Sequence, residues 1–238
     1  MTVDDVALAA APFRPAGGTF IIGVTGSVAS GKSTFAKALA ETLGGARVEL
    51  VSTDGFLLPN TVLAEHGLEL RKGFPETYDL TALAGALRDV RHGPATFPAY
   101  SHITYDLDPV GGRPLKAPDA LIVEGLALGF ERPAPPPPLI DCLIYLDARE
   151  ADLEAWFTTR FMALWEAAAD DPTSFYRRFR SLDREGAEKV AHAVWTGINL
   201  PNLREHIAPV RAHADLVVIK GPDHGIVDIV TQSAALRP

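Results

Sequence analysis

The sequence predicts an α/β fold, a parallel β-sheet flanked by helices on both faces. Two observations lead there. Short apolar runs alternate with helical patterns along the chain. Those runs are continuously apolar, the pattern of strands covered on both sides. In such sheets ligands sit at the carboxyl ends of the strands.

The elements follow in order. "TFIIGVT" reads as a buried strand, and "KSTFAKALAETLGG" as a helix stopped by its glycine pair. "RVELVS" is a second strand. "DLTALAGALRDVRHG" is an amphipathic helix with Asp79 as N-cap. "DALIVEGL" is a third strand, and the proline run "ERPAPPPPL" is a stiff surface loop. "LIDCLIYLDA" is a fourth strand. Two long helical patterns follow, 149–168 and 173–198. "ADLVVIKG" is a last strand, and a short terminal helix closes the chain. Residues 1–18, ending in "RPAGG", read as a flexible N-terminal arm. Residues 19–238 read as a single domain.

Composition narrows the function. The chain has 238 residues, 47% hydrophobic and 22% charged, with a net charge of -8. These values fit an ordinary globular domain with a full core. No basic stretch is dense enough to grip a nucleic-acid backbone, so an anionic ligand needs a local basic site. The one cysteine, Cys142, lies in an apolar strand and reads as a core thiol, in keeping with a reducing cytoplasm. The N-terminus opens with acids and has no positive n-region, so no signal peptide is expected. No apolar run approaches the roughly 20 residues of a membrane span.

Between the first strand and the first helix stands "GVTGSVASGKSTF", Gly23–Phe35. Gly26, Gly31, Lys32 and Ser33 match G-x-x-x-x-G-K-[ST], with strand and helix both in place. Glycines let backbone N–H groups of the loop, from Gly26, Ser27, Ala29, Ser30 and Gly31 into the helix, point at phosphate oxygens. Lys32 reaches the β- and γ-phosphates, and Ser33 is a ligand for Mg²⁺. This is a nucleotide cradle.

Two further strands deliver acids to the same rim. Asp54, in "VSTDGFLLPN", lies just past the second strand, where a carboxylate can accept a proton from an attacking hydroxyl. Glu124 ends the third strand and stands near the metal. The pair points to phosphoryl transfer. Arg160 interrupts the apolar positions Leu153, Phe157, Phe161 and Leu164 of a candidate lid helix. A cation there either snorkels to water or reaches for a phosphate. Tyr100 and His102 point to one side of an extended segment. Asn199 and Asn202 flank "LP" and read locally as caps or turn residues.

With these motifs together, the chain resembles the bacterial type I pantothenate kinases, ATP-dependent enzymes that open coenzyme A synthesis. "GSVASGKST", "STDGFLLPN", "KGFPETYD", "PAYSHITYD", "IVEGL", "RF" at 160–161 and "INLPNL" occur in that family's order, over about residues 20 to 230. The resemblance implies a P-loop kinase-type sheet with a helical lid and acceptor-pocket region over 149–210. It implies Asp54 as base toward the primary hydroxyl of pantothenate. Lys32, Ser33 and Thr34 would hold phosphates and Mg²⁺, and Arg160 would stabilise the transferring group. Tyr100, His102, Tyr105 and Asn199 fall where the family contacts pantothenate. His224 falls where a histidine packs on adenine. Lys37 and His102 fall near the phosphates of coenzyme A, the feedback inhibitor. A homodimer is also implied.

Four positions depart from the family pattern. Phe157 replaces a tyrosine on the substrate side, and Leu164 replaces an aromatic on the same helix. "GLALG" follows Glu124 without the family's asparagine, and the longer N-terminal segment that encloses adenine is nearly absent. A lost hydroxyl partner costs about 1–3 kcal/mol. The departures spare the phosphoryl-transfer residues and bear on the acceptor. An alternative acceptor, a nucleoside or a sugar acid, therefore stands beside pantothenate, and a nucleotide- or coenzyme A-binding regulator stands behind both.

Overall fold

The computed structural model describes residues 1–44, 47–130 and 139–232. Its centre is a six-stranded sheet in the order β2-β5-β1-β6-β7-β8. The strands are β1 (Phe20–Gly26), β2 (Val48–Ser52), β5 (Ala120–Glu124), β6 (Cys142–Asp147), β7 (Leu216–Lys220) and β8 (Ile226–Thr231). β1, β2, β5, β6 and β7 pair in parallel, and β8 joins β7 antiparallel. β1 and β5 are buried along their whole length, which is why they read as unbroken apolar runs.

Two apolar layers cover the sheet. One packs α1 (Val3–Ala10) and α2 (Lys32–Leu43) against Phe20, Ile22 and Val24. The other gathers α4 (Leu80–Asp89), α5 (Glu150–Ala167) and α6 (Arg184–Val194) over Ile21, Leu121 and Val123. A short helix α3 (Asn60–Glu65) follows the turn after β2. Asp79 caps α4 as expected, accepting from the Ala82 N–H at 2.8 Å.

Several expectations need correction. The segment 1–18 is not a loose arm throughout. Thr2 and Asp5 form a capping box, and Val6 and Ala10 are fully buried. Two buried apolar residues four apart suffice to dock one face of a short helix. The pattern 173–198 is not one helix. Ser174 caps a 3₁₀ turn at Phe175–Phe179, and Asp183 starts α6 anew by accepting from the Gly186 N–H at 2.8 Å. After the expected last strand, Ile226–Thr231 is a further strand, β8, because the turn Gly221–Gly225 folds the chain back beside β7; the rest of the segment expected to form a terminal helix, 233–238, lies outside the described residues. The proline run falls on 131–138, outside the described residues.

Beyond α6 the helix is not cut at Asn199. It widens into a π-helical turn at Trp195–Asn199, runs through α7 (Leu200–Asn202), and widens again at Leu203–Ile207. Pro201 and Pro209 stand one residue beyond the i→i−5 bonds that Leu200 and Ala208 donate. A proline has no N–H and crowds the carbonyl four residues back, so the wider turn absorbs the clash.

The sequence pattern also missed a hairpin. β3 (Pro94–Ser101) and β4 (Asp106–Lys116) pair antiparallel outside the main sheet. Their prolines argue against a central strand, but a two-stranded ribbon tolerates them, and the register shifts around Pro98. This hairpin lies on the turn after β2. A Cβ at Gly55 would meet the Pro98 carbonyl oxygen at 2.1 Å. Gly55→Ala should therefore destabilise by about 1–3 kcal/mol, whereas Gly85→Ala, open around its Cβ within α4, should stabilise slightly. Urea midpoints of the two variants check this, and equal effects would refute the close approach.

Candidate active site

The cradle forms where β1 turns into α2. Gly26, Ala29 and Gly31 take φ values of 139°, 63° and 83°. Gly31 is the N-cap and no side chain caps the helix. The first N–H groups of α2 are thus left for a ligand, at the positive end of its dipole. An uncapped N-terminus under left-handed backbone is suited to polyphosphate. The hydroxyls of Ser27 and Ser30 are buried and have no hydrogen-bond partner among the described residues.

Lys32 folds over this loop, donating from Nζ to the Ser27 carbonyl at 2.8 Å. Packing around the ammonium pushes its pKa down, Glu124 and Asp54 oppose that, and Arg160 reinforces it. Glu124, 8% exposed at the end of β5, accepts from Ser33 Oγ at 3.1 Å. Burial raises its pKa against the pull of Lys32. The two residues expected at the metal are therefore joined. Serine and carboxylate oxygens suit Mg²⁺, which takes few protein ligands and leans on nucleotide phosphates. Thr34 and Lys37 are exposed on α2.

Asp54 sits on the 3₁₀ turn Thr53–Phe56 directly after β2, and its N–H donates to Ser52 Oγ at 3.2 Å. Tyr78 Oη donates to Asp54 Oδ1 at 3.4 Å. Asp54 raises the pKa of Tyr78, Tyr100 and Tyr105, in each case behind the larger effect of burial. Burial lowers His102, against the pull of Asp54. The hairpin thus brings Tyr100, His102 and Tyr105 to the acid. Asp54, Tyr100 and His102 line one cleft of about 210 Å³.

Lys72 opens "KGFPETYD" and carries no local signal of its own. Its Nζ donates to Asn60 Oδ1 at 2.6 Å and to the Tyr105 carbonyl at 2.7 Å, and lies 5.0 Å from the Tyr100 ring centre. Burial lowers its pKa to about 8, while Asp106 and Asp54 resist. Tyr105, in a left-handed conformation at φ 59°, rests its ring 4.4 Å from that of Phe175.

The lid helix differs from its reading. Leu153, Phe157, Phe161 and Trp165 form the buried stripe of α5. Arg160 is exposed beside it and has no hydrogen bond or ion pair among the described residues. It therefore does not interrupt the apolar face. Phe157 packs 5.9 Å from Trp195 and 6.2 Å from Phe161, so its ring is buried where Arg160 is exposed. Arg160 still lowers the pKa of Lys32 and His102, which sets its charge near the cradle.

Asn199 and Asn202 part company. Asn202 Nδ2 donates to the Gly73 carbonyl at 2.8 Å and fastens the π-turn region to "KGFPETYD". The Asn199 amide nitrogen is buried without a partner among the described residues. Neither acts as a cap. At the far side of the cradle, His224 stacks on Trp156 with centroids 3.7 Å apart, and Lys220 Nζ donates to the Ser30 carbonyl at 2.9 Å. No local signal marked Trp156 or Lys220, since both read as ordinary residues of their own elements.

Strand, uncapped helix and rim acids define a P-loop kinase, and the family model "Phosphoribulokinase / Uridine kinase family" matches residues 21–157. The chain belongs to that family. Within it the chain groups with proteins named pantothenate kinase. It is 45% identical to one from Parvibaculum lavamentivorans over 225 residues, 89% of this chain and 69% of that protein. It is 44% identical to one from Myxococcus xanthus over 221 residues, 87% and 70% of the two chains. Among solved structures, a candidate fructose transport system kinase from Silicibacter sp. TM1040 superposes with a TM-score of 0.74 at 26% identity. It covers 91% of this chain and 98% of that one.

Lys72 yields a direct test. Its side chain should titrate near pH 8 by NMR of labelled lysine, and Asp54→Asn should move the midpoint lower. The folded pKa lies below the unfolded 10.5, so the unfolded chain holds the extra proton between these values. Stability from this group rises with pH across that window. A midpoint near 10.5 would show Lys72 to be solvated.

Proposed function

We propose that this chain transfers the γ-phosphoryl group of ATP to the primary hydroxyl of pantothenate, making 4′-phosphopantothenate for coenzyme A synthesis. The observation that carries the reading is Asp54. It stands at the carboxyl rim beside the cradle, touched by Tyr78 and electrostatically coupled to Lys72, Tyr100 and His102. The identity to proteins named pantothenate kinase supports the choice of acceptor.

In this mechanism Asp54 accepts the hydroxyl proton as the substrate oxygen bonds to γ-phosphorus. The bond from γ-phosphorus to the bridging oxygen breaks, and ADP leaves with the electron pair. Lys32 and the loop N–H groups hold the phosphates, and Arg160 swings its unpaired guanidinium onto the transferring group. Ser33 and Glu124 would hold Mg²⁺, which supplies charge neutralisation at the phosphate oxygens. Lys72 faces the acceptor's carboxylate, since a half-buried cation with a lowered pKa gains from an anion. Tyr100, His102, Tyr105 and the unpaired Asn199 amide orient the acceptor's polar groups, with Phe157 behind them. The exposed ring of His224 takes the adenine. Lys37 and His102 offer contacts for coenzyme A as feedback ligand, and we infer a homodimer working in the cytoplasm.

The acceptor is tested by ADP release with Mg-ATP and pantothenate, uridine, cytidine or glycerate. Saturable turnover with pantothenate alone is expected. Turnover with another acceptor would reassign the pocket while keeping the cradle. Asp54→Asn should cut kcat by about 10²–10⁴-fold with pantothenate KM little changed, and an unaltered kcat would remove Asp54 as base. If Lys72 holds the carboxylate, kcat/KM for pantothenate should fall as pH rises through about 8, and Lys72→Met should abolish that limb.

A further inference from the structure

The sheet order fixes where a nucleoside can lie. Asp54 leaves β2, two places to one side of β1, and the turn Gly221–Gly225 leaves β7, two places to the other. In-line transfer sets the acceptor and the leaving phosphate on opposite sides of the moving group. With the acceptor toward β2, the rest of the nucleotide runs from the cradle toward β6 and β7. The turn after β7 meets it there.

That turn is held against the cradle. Lys220, 8% exposed, donates to the Ser30 carbonyl at 2.9 Å, and its Nζ is 3.5 Å from His224 Nδ1. A Cβ at Gly31 would lie 2.9 Å from Lys220 Nζ and 3.6 Å from His224 Nδ1. His224 takes φ 65°, an unusual backbone for a non-glycine residue, and its N–H donates to the Gly221 carbonyl at 3.0 Å. One face of its imidazole is covered. Trp156, half-buried on α5, stacks on it at 3.7 Å and 22°, and Trp156 Nε1 donates to the Pro222 carbonyl at 3.0 Å. His224 itself stays exposed.

We propose that Trp156 is a positioning residue for the nucleobase. It backs His224 as the inner layer of a two-ring platform whose outer face stacks on the base. The indole sets the tilt of the imidazole by stacking and sets the height of the turn through its N–H. Burial and the Lys220 ammonium hold the imidazole's pKa down, against the pull of Asp223, which favours the neutral ring. The proposal rests on the reading of the loop as a nucleotide site.

Titration calorimetry of the full chain with Mg-ADP and with Mg-pyrophosphate separates the outcomes, because pyrophosphate fills the cradle and carries no base. Trp156→Ala should weaken ADP about tenfold and leave pyrophosphate unchanged. Trp156→Phe, which keeps a ring, should recover most of the loss. His224→Ala should weaken ADP similarly, and the double variant with Trp156→Ala should be no worse than either single one. If Trp156→Ala does not fold, Trp156→Leu takes its place under the same criteria. Unchanged ADP binding, or equal losses for ADP and pyrophosphate, would overturn the proposal. A wild-type chain that binds neither ligand would instead overturn the nucleotide reading itself.

Discussion

The uncapped N-terminus of α2 organises everything around it. Gly31 adopts the left-handed backbone that ends the loop, and it offers no side chain to satisfy the N–H groups behind it. Most helices meet this need with a serine, threonine or aspartate. Here no side chain meets it, and the neighbourhood is arranged around the open end. Lys32 folds over the loop from within, Lys220 pins Ser30 from beneath, and Glu124 holds Ser33 from the adjacent strand.

The same logic explains how a chain of net charge -8 handles anions. Three lysines, Lys32, Lys72 and Lys220, are drawn partly out of water, and burial lowers the pKa of each. A cation in that state is stabilised by whatever negative charge arrives. The acids Asp54 and Glu124 temper the cost by raising the pKa of Lys32. The basic sites are therefore local, and they do not depend on the overall field of the protein.

Around the chemistry, the protein builds a frame from contacts distant in sequence. Asn202 reaches Gly73, Phe175 N–H donates to the Ile103 carbonyl at 2.9 Å, and Arg91 joins Asp141 at 2.9 Å. α5 takes part on both sides. From its buried stripe Phe157 packs on Trp195, while Trp156 stacks on His224 and Arg160, one turn on, is exposed. A shift of this helix would move Trp156 and Arg160 together.

By itself, the sequence determined the parallel sheet, the cradle and the placement of Asp54 and Glu124. These depend on local pattern: apolar runs of strand length, a glycine-lysine spacing, and acids at strand ends. The hairpin β3–β4 was hidden by its prolines, and the strand β8 by apolar residues three apart that mimic a helix. Helix α1 was hidden by its shortness. Lys72, Tyr78, Trp156 and Lys220 were decided only by tertiary structure. Each acts through a partner 12 to 190 residues away, and burial, which lowers a lysine or orients a ring, exists only once the distant segments have packed.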